Sequence, residues 1–245
     1  MKRLWLLLIL ILVVSACSGM KENRLDSVEE LFNRGLSYYE NEKYLKARET
    51  FQKLKDNYPL SKYSIVAELR IADANYYDKE YSEAIFYYEE FRKLHPTNPV
   101  IPYVLYQIGM CYFQQTLSID RSQVFTKNAA KHFEYLISRH PSSSYAASGR
   151  EKLMICNEKL AQHEFYVGRF YFKGNKYKAA LYRFTEIIER FPGSPLKDKA
   201  YFYVGRSYLS LEENEKAKSA FNHLVKNYPN SEYYNEAKGL LKKLK

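Results

Sequence analysis

Apolar side chains recur along most of this chain at three- and four-residue spacing, the period of one helix face, and the run is broken at regular places by proline. Tyr58-Pro59, His95-Pro96, His140-Pro141, Phe191-Pro192 and Tyr228-Pro229 each follow an amphipathic stretch, and the prolines are spaced 37, 45, 51 and 37 residues apart. Eight residues before each proline stands an aromatic (Phe51, Tyr88, Phe133, Phe184, Phe221), and four before that an alanine (Ala47, Ala84, Ala129, Ala180, Ala217). Alanine and ring share a helix face; the small residue admits a neighbouring helix and the ring fills the space beside it. Proline then ends the helix, because it has no N–H for the ladder and biases the residue before it away from the helical region.

Upstream of each alanine a first helix carries a small residue, Gly35, Ala72, Gly109, Gly168 or Gly205, followed three positions later by tyrosine in every unit except the second, which has Asn75. Short polar turns such as Asn41-Glu42-Lys43-Tyr44 and Gly174-Asn175-Lys176-Tyr177 join the two helices. The unit is a helical hairpin repeated five times, and Ser231–Lys245, with no partner helix and a lysine-rich end, reads as a capping helix. Two departures from regularity stand out. Gly109 to Ala129 is 20 residues where the other units use 12, which puts eight extra residues in the third hairpin around Ile119-Asp120-Arg121-Ser122. Tyr145 to Phe172 contains no proline, which suits one long helix or two nearly continuous ones and divides the chain into three units before it and two after.

This pattern of small residue, aromatic, alanine, aromatic and terminal proline resembles the tetratricopeptide (TPR) family. The resemblance implies an all-α, TPR-type helical-hairpin solenoid of five repeats plus a capping helix, and covers Ser27 to Lys245. It speaks to fold and little to ligand.

The first residues differ in kind. Lys2 and Arg3 precede an apolar run of eleven residues, Leu4 to Val14, too short for the roughly 20 that span a bilayer. Val14-Ser15-Ala16-Cys17 resembles the bacterial lipobox, which implies cleavage after Ala16 and lipid attachment at Cys17; Ser18 in the next position resembles cargo sorted to the outer membrane. The organisation expected is a signal peptide over 1–16, a lipidated tether over 17–26, an amino-terminal lobe of three units over 27–143 and a carboxy-terminal lobe of two units and the cap over 144–245.

Composition changes this picture little. With 25 Tyr and 14 Phe against 9 Gly and 8 Pro the chain is too aromatic for disorder and too poor in turn formers for a many-stranded sandwich. The net charge of +10 suits an anionic membrane surface or an acidic partner; an exported lipoprotein meets no nucleic acid. Cys111 and Cys156 lie in apolar helical stretches, and their spacing leaves open whether they are two buried thiols or a disulfide. The histidines His95, His132, His140, His163 and His223 form no HExxH or Cys/His spacing, and there is no GxGxxG, P-loop or GxSxG. Neither enzyme chemistry, a metal nor a cofactor is expected.

The links between units read Tyr-Pro-x-Ser-x-Tyr, as in Tyr58 to Tyr63, with related forms at His140 to Tyr145 and Tyr228 to Tyr233. Together with the Asp120-Arg121-Ser122 insertion and Leu160 to Val167 entering the fourth unit, these links resemble the BamD family of lipoproteins of outer-membrane β-barrel assembly. That resemblance implies a periplasmic, lipid-anchored scaffold on the outer membrane. Its carboxy-terminal units would bind a POTRA domain of the barrel subunit BamA, with Arg183 in the place of an arginine that pairs with a glutamate there. Its amino-terminal units would receive unfolded outer-membrane proteins as extended, aromatic-rich segments. Flat rings with hydrogen-bonding neighbours suit such a ligand, and the first lobe supplies Tyr38, Tyr58, Tyr63 and Tyr76 with Asn33, Arg34 and Asn75 among them. The alternative is an envelope TPR adaptor linked to the Tol system or peptidoglycan synthesis, or a pilotin-like lipoprotein; no heptad run precedes Leu31, against the adaptor.

Overall fold

The structure, a computed structural model, describes residues 26–244. Ala16 and Cys17, the expected cleavage and lipid-attachment positions, lie outside them. Eleven helices make up the described chain: α1 (Val28–Glu40), α2 (Tyr44–Asn57), α3 (Lys62–Tyr77), α4 (Tyr81–Leu94), α5 (Ile101–Gln114), α6 (Val124–Arg139), α7 (Ser144–Lys173), α8 (Tyr177–Arg190), α9 (Lys197–Ser210), α10 (Asn214–Asn227) and α11 (Tyr234–Lys243). The array is TPR-type. Two compact units divide within α3, between Ile71 and Ala72.

The first unit starts on a capping box, in which Ser27 accepts from the Glu30 N–H while Glu30 accepts from the Ser27 N–H. Its core is Leu31, Ala47, Phe51 and Leu54, all fully buried, where α1 packs on α2. In the second unit each helix from α4 to α11 packs on the next in sequence.

One slot explains the small residue of the motif. A Cβ added at Gly35, Gly109, Gly168 or Gly205 would lie 2.5–2.7 Å from a ring carbon of Phe51, Phe133, Phe184 or Phe221. The ring therefore rests on bare helix backbone, and any side chain at the glycine would collide with it. In the remaining repeat Ala72 and Tyr88 take these two places, both fully buried.

The turns are as uniform. In four hairpins one residue, Glu42, Lys79, Asn175 or Glu212, is left-handed at φ 57–66°. The next N–H reaches back to Tyr38, Asn75, Tyr171 or Tyr208 at 2.8–3.0 Å, the longer of the two bonds of a Schellman ending. At each terminal proline the preceding residue leaves the helix at φ between −122 and −136°. The serine of the link then starts the next helix: Ser61, Ser143, Ser194 and Ser231 each accept the N–H two residues on at 3.2 Å, and Asn98 does the same at 3.0 Å.

α7 is one unbroken helix of 30 residues, about 45 Å long. Its first half lies on α6, where a Cβ on Gly149 would meet Leu136 at 3.2 Å, and its second half seats Phe184 of α8 at Gly168. The lengthened third turn, residues 115–123, docks back onto it: His163 Nδ1 donates to the Ile119 carbonyl (2.6 Å) and Lys159 Nζ to Thr116 Oγ1 (3.1 Å). Gln123 ties the loop internally through the carbonyls of Ser118 and Arg121. Cys111 and Cys156 are both buried and unbridged; burial pushes their thiols up to about 12 and about 11, out of the reactive range.

Candidate functional site

Arg183 stands on α8 beside the buried stripe Ala180, Phe184 and Ile187, one position from the ring that Gly168 seats. The same packing brings up the buried Glu164 of α7, and Arg183 Nη1 donates to Glu164 Oε2 at 2.8 Å. This bond raises the guanidinium's pKa further above its ordinary value. The guanidinium also lies over the Tyr182 ring, 5.6 Å from its centroid. On the other side of the Phe184 ring, Tyr203 stacks on it and carries Arg169 over its own face. Arg183 is still about one third exposed (32 %), and Glu164 occupies one of its five N–H donors.

The seven groove candidates divide between the two units. In the first, Asn33 and Arg34 are exposed, and Tyr38, Tyr58 and Tyr63 are half-buried. Much of their polar capacity is engaged internally. Asp26 accepts two bonds from Arg34 (2.6 and 3.2 Å) and one from Lys53 (2.8 Å), while the Tyr58 hydroxyl donates to the Asp26 carbonyl. Arg34 first and Lys53 second hold the Asp26 carboxyl well below the usual carboxylate range. Tyr63 packs against Phe32 at 4.8 Å, and Tyr38 lies beneath Lys46. Of these five candidates, the rings of Tyr38 and Tyr63 and the side chain of Asn33 are what is left to meet a ligand.

In the second unit Asn75 is a correction to the sequence expectation. It is only 3 % exposed and its carbonyl closes the hairpin turn, so it offers no surface amide. The residue sits where the other repeats have tyrosine, on the inward side of a helix end, and its polarity gives no hint of that burial. Tyr76 is half-buried; it packs edge-on to Tyr77 and Tyr81, and its hydroxyl accepts from Gln114.

The sequence reading missed a pair of adjoining clefts along α7, of about 1070 and 570 Å³. The lengthened turn and the Phe191–Leu196 link form their walls. Met154 (68 % exposed), Tyr166 and Phe170 (68 %) line them. Exposed apolar side chains on α7 at 166 and 170, one turn apart on one face, and at 154 on another were the signal available, since a helix with one buried face needs only one apolar stripe. Among the described residues no group of His, Cys, Asp and Glu is placed to hold a metal, and no helix is long and apolar enough to cross a membrane.

Comparison with known proteins accords with these features. A family profile described as YfiO, outer membrane lipoprotein, matches residues 24–220. Curated relatives named outer membrane protein assembly factor BamD include those of Rickettsia prowazekii (31 % identity; 78 % of this chain, 76 % of the relative) and Neisseria gonorrhoeae (30 %; 77 % and 77 %). Another, from Caulobacter vibrioides, is 32 % identical over 66 % of this chain but only 53 % of its own length, so the match spans about half of that relative. Repeat, lengthened turn and link thus occur in a chain matched along most of its length to one family: it belongs to the YfiO/BamD outer-membrane lipoproteins.

Proposed function

We propose that this chain is a lipid-anchored assembly factor for outer-membrane β-barrel proteins, a scaffold and not an enzyme. In this reading it is cleaved after Ala16 and lipidated at Cys17 on the periplasmic face of the outer membrane. Residues 144–245 hold the POTRA domain of a BamA-like barrel subunit, and residues 27–143 receive unfolded clients. Family membership supports the assembly role. The observation that carries the finer reading is Arg183, whose guanidinium is fixed by Glu164 and Tyr182 yet keeps an exposed edge. A partner carboxylate can take the remaining donors without first ordering the side chain, which lowers the entropic cost of binding.

Co-purification of the barrel subunit with Arg183 variants tests this. Arg183→Glu alone is ambiguous, because it sets a second carboxylate beside the buried Glu164 and strains the fold. Arg183→Lys keeps a cation there but loses the planar fork. A folded Arg183→Lys protein should recover several-fold less barrel subunit and Arg183→Glu almost none; full recovery with both would remove Arg183 from the interface. For clients, photocrosslinkers at Tyr38 and Tyr63 should capture an aromatic-rich β-strand peptide, whereas one at the buried Asn75 should not. No crosslink at any first-lobe ring would count against client reception there. Cys17→Ser should move the protein out of the membrane fraction.

A further inference from the structure

The smaller of the two clefts along α7, about 570 Å³, is built on a single face of that helix. At 3.6 residues per turn, Gln162, Arg169 and Lys173 fall within about 40° of one another around the axis, with Tyr166 and Phe170 on one flank of this row and Phe165 on the other. The row runs about 17 Å along the helix. Ile119 of the lengthened turn and Leu196 of the link enclose it. Among the described residues no carboxylate lines the cleft, and neither Arg169 nor Lys173, both exposed, has an acidic partner. Glu158, in the larger cleft, already accepts from Gln162 and Ser194. Arg169 is also held in place: its guanidinium lies over the Tyr203 ring, 5.6 Å from the centroid, and Tyr203 is itself stacked on Phe184. Beside the cations, Phe170 leaves 68 % of its surface open and Tyr166 about half.

We propose that this cleft binds an aromatic residue and a neighbouring Asp or Glu side chain on a segment of a protein partner, the carboxylate taken by Arg169 and Lys173 and the ring laid against Tyr166 and Phe170. Two cations with no acid among them fix the sign of the ligand's charge. A guanidinium already ordered over Tyr203 offers a planar fork that a carboxylate matches, with little side-chain entropy left to lose. The exposed rings beside it favour a ligand ring, which meets them edge-on or offset. A side-chain carboxylate suits the site better than a chain terminus. Terminal carboxylates are captured by free backbone N–H groups, and along this stretch of α7 every N–H is engaged within the helix. The enclosed shape favours an inserted side chain over a flat bilayer face. Arg169 lies about 140° around α7 from Glu164, so the proposal stands or falls apart from the Arg183 reading.

The test uses the full chain and a fluorescent 12-residue peptide of glycine and serine around a Phe-Glu-Phe-Glu core, amidated at its carboxy terminus and followed by anisotropy. Binding in the high micromolar range is expected of so small a contact. Replacing both glutamates of the peptide by glutamine should weaken it about tenfold, as for loss of charged hydrogen bonds, and replacing both phenylalanines by alanine several-fold. On the protein, Arg169→Lys keeps the charge but loses the fork and should cost several-fold. Lys173→Gln, at an exposed position that leaves the fold alone, should cost several-fold at low salt and little at high salt. Lys93→Gln removes a cation that is 77 % exposed and outside the clefts, and should change nothing. Failure of the peptide to bind at millimolar concentration, equal binding of the glutamine peptide, or indifference to Lys173→Gln at low salt overturns the proposal. So does binding that appears only when the peptide ends in a free carboxylate, which would make this a chain-terminus site. Binding to phosphatidylglycerol vesicles that depends on Lys173 and Phe170, with no binding of the peptide, would overturn it in favour of a membrane contact.

Discussion

Four of the five repeats seat a phenylalanine on a glycine, and the second repeat does something else. In the four, the fit is steric: a hydrocarbon ring rests against helix backbone and has no polar atom of its own to satisfy. In the second, Tyr88 replaces the phenylalanine, Ala72 the glycine, and the tyrosine hydroxyl donates to the fully buried Asp73 at 2.7 Å. Tyr103 of the following repeat donates to the same carboxylate oxygen, also at 2.7 Å, and accepts from Gln107. One backbone position is thus held either by shape or by a hydrogen-bond network. The network adds what shape does not, a polar tie between successive repeats, but it requires every member to be present.

Removing the ring should show the largest effect. Phe184→Ala empties the slot above Gly168 and should lower stability by about 3–5 kcal/mol, read from the urea midpoint at unchanged m-value. Asp73→Ala comes next. It strands the fully buried hydroxyl of Tyr88, at about 1–3 kcal/mol, and weakens the hold on Tyr103; a loss no larger than for an exposed aspartate would mean the network is incidental. The network also predicts an alkaline transition. Burial first, and then the neighbouring Asp73, raise the pKa of both Tyr88 and Tyr103 above the ordinary 10. The folded state therefore keeps their protons, and the associated stability is complete below pH 10 and lost as pH rises above it. Spectrophotometric titration should find two tyrosines that ionise only with unfolding, and normal ionisation of all tyrosines would break the comparison.

A methyl group should discriminate the two kinds of slot more finely. Gly168→Ala overpacks the ring for about 1–3 kcal/mol, offset by roughly 1 kcal/mol of helix propensity, and the net loss should shrink when Phe184 is changed to Leu. The smallest effects belong to the turns, which are alike in both kinds of repeat. Lys79→Gly and Glu212→Gly relieve left-handed strain and should each stabilise by at most about 1 kcal/mol. Asn175→Gly should gain nothing measurable, since asparagine tolerates that conformation. Unequal gains at Lys79 and Glu212 would show that the second repeat differs in its backbone as well as its slot.

Almost everything local was legible in the sequence. Helix ends, hairpin turns, the added loop, the long α7 and the cap follow from periodicity, proline and the link serine, whose effects reach only a few residues along the chain. The candidate site was legible only in part. Arg183 could be singled out by resemblance, but its partner Glu164 is 19 residues away in sequence and no spacing marks the two as a pair. Asn75 looked like a surface amide because polarity usually means exposure, and the packing of its helix end decided otherwise.

Taken by itself, the sequence determined the repeat, because each unit encodes its own caps, turn and apolar face, and such signals act through backbone geometry close at hand. Tertiary structure alone decided which apolar side chains of α7 are covered and which left open, that Asp26 gathers Arg34, Lys53 and the Tyr58 hydroxyl, and that Arg183 presents an anchored guanidinium with one edge exposed. Each of these is set by the contacts among elements distant in sequence, and burial and partner are properties of that packing, which residue order alone does not specify.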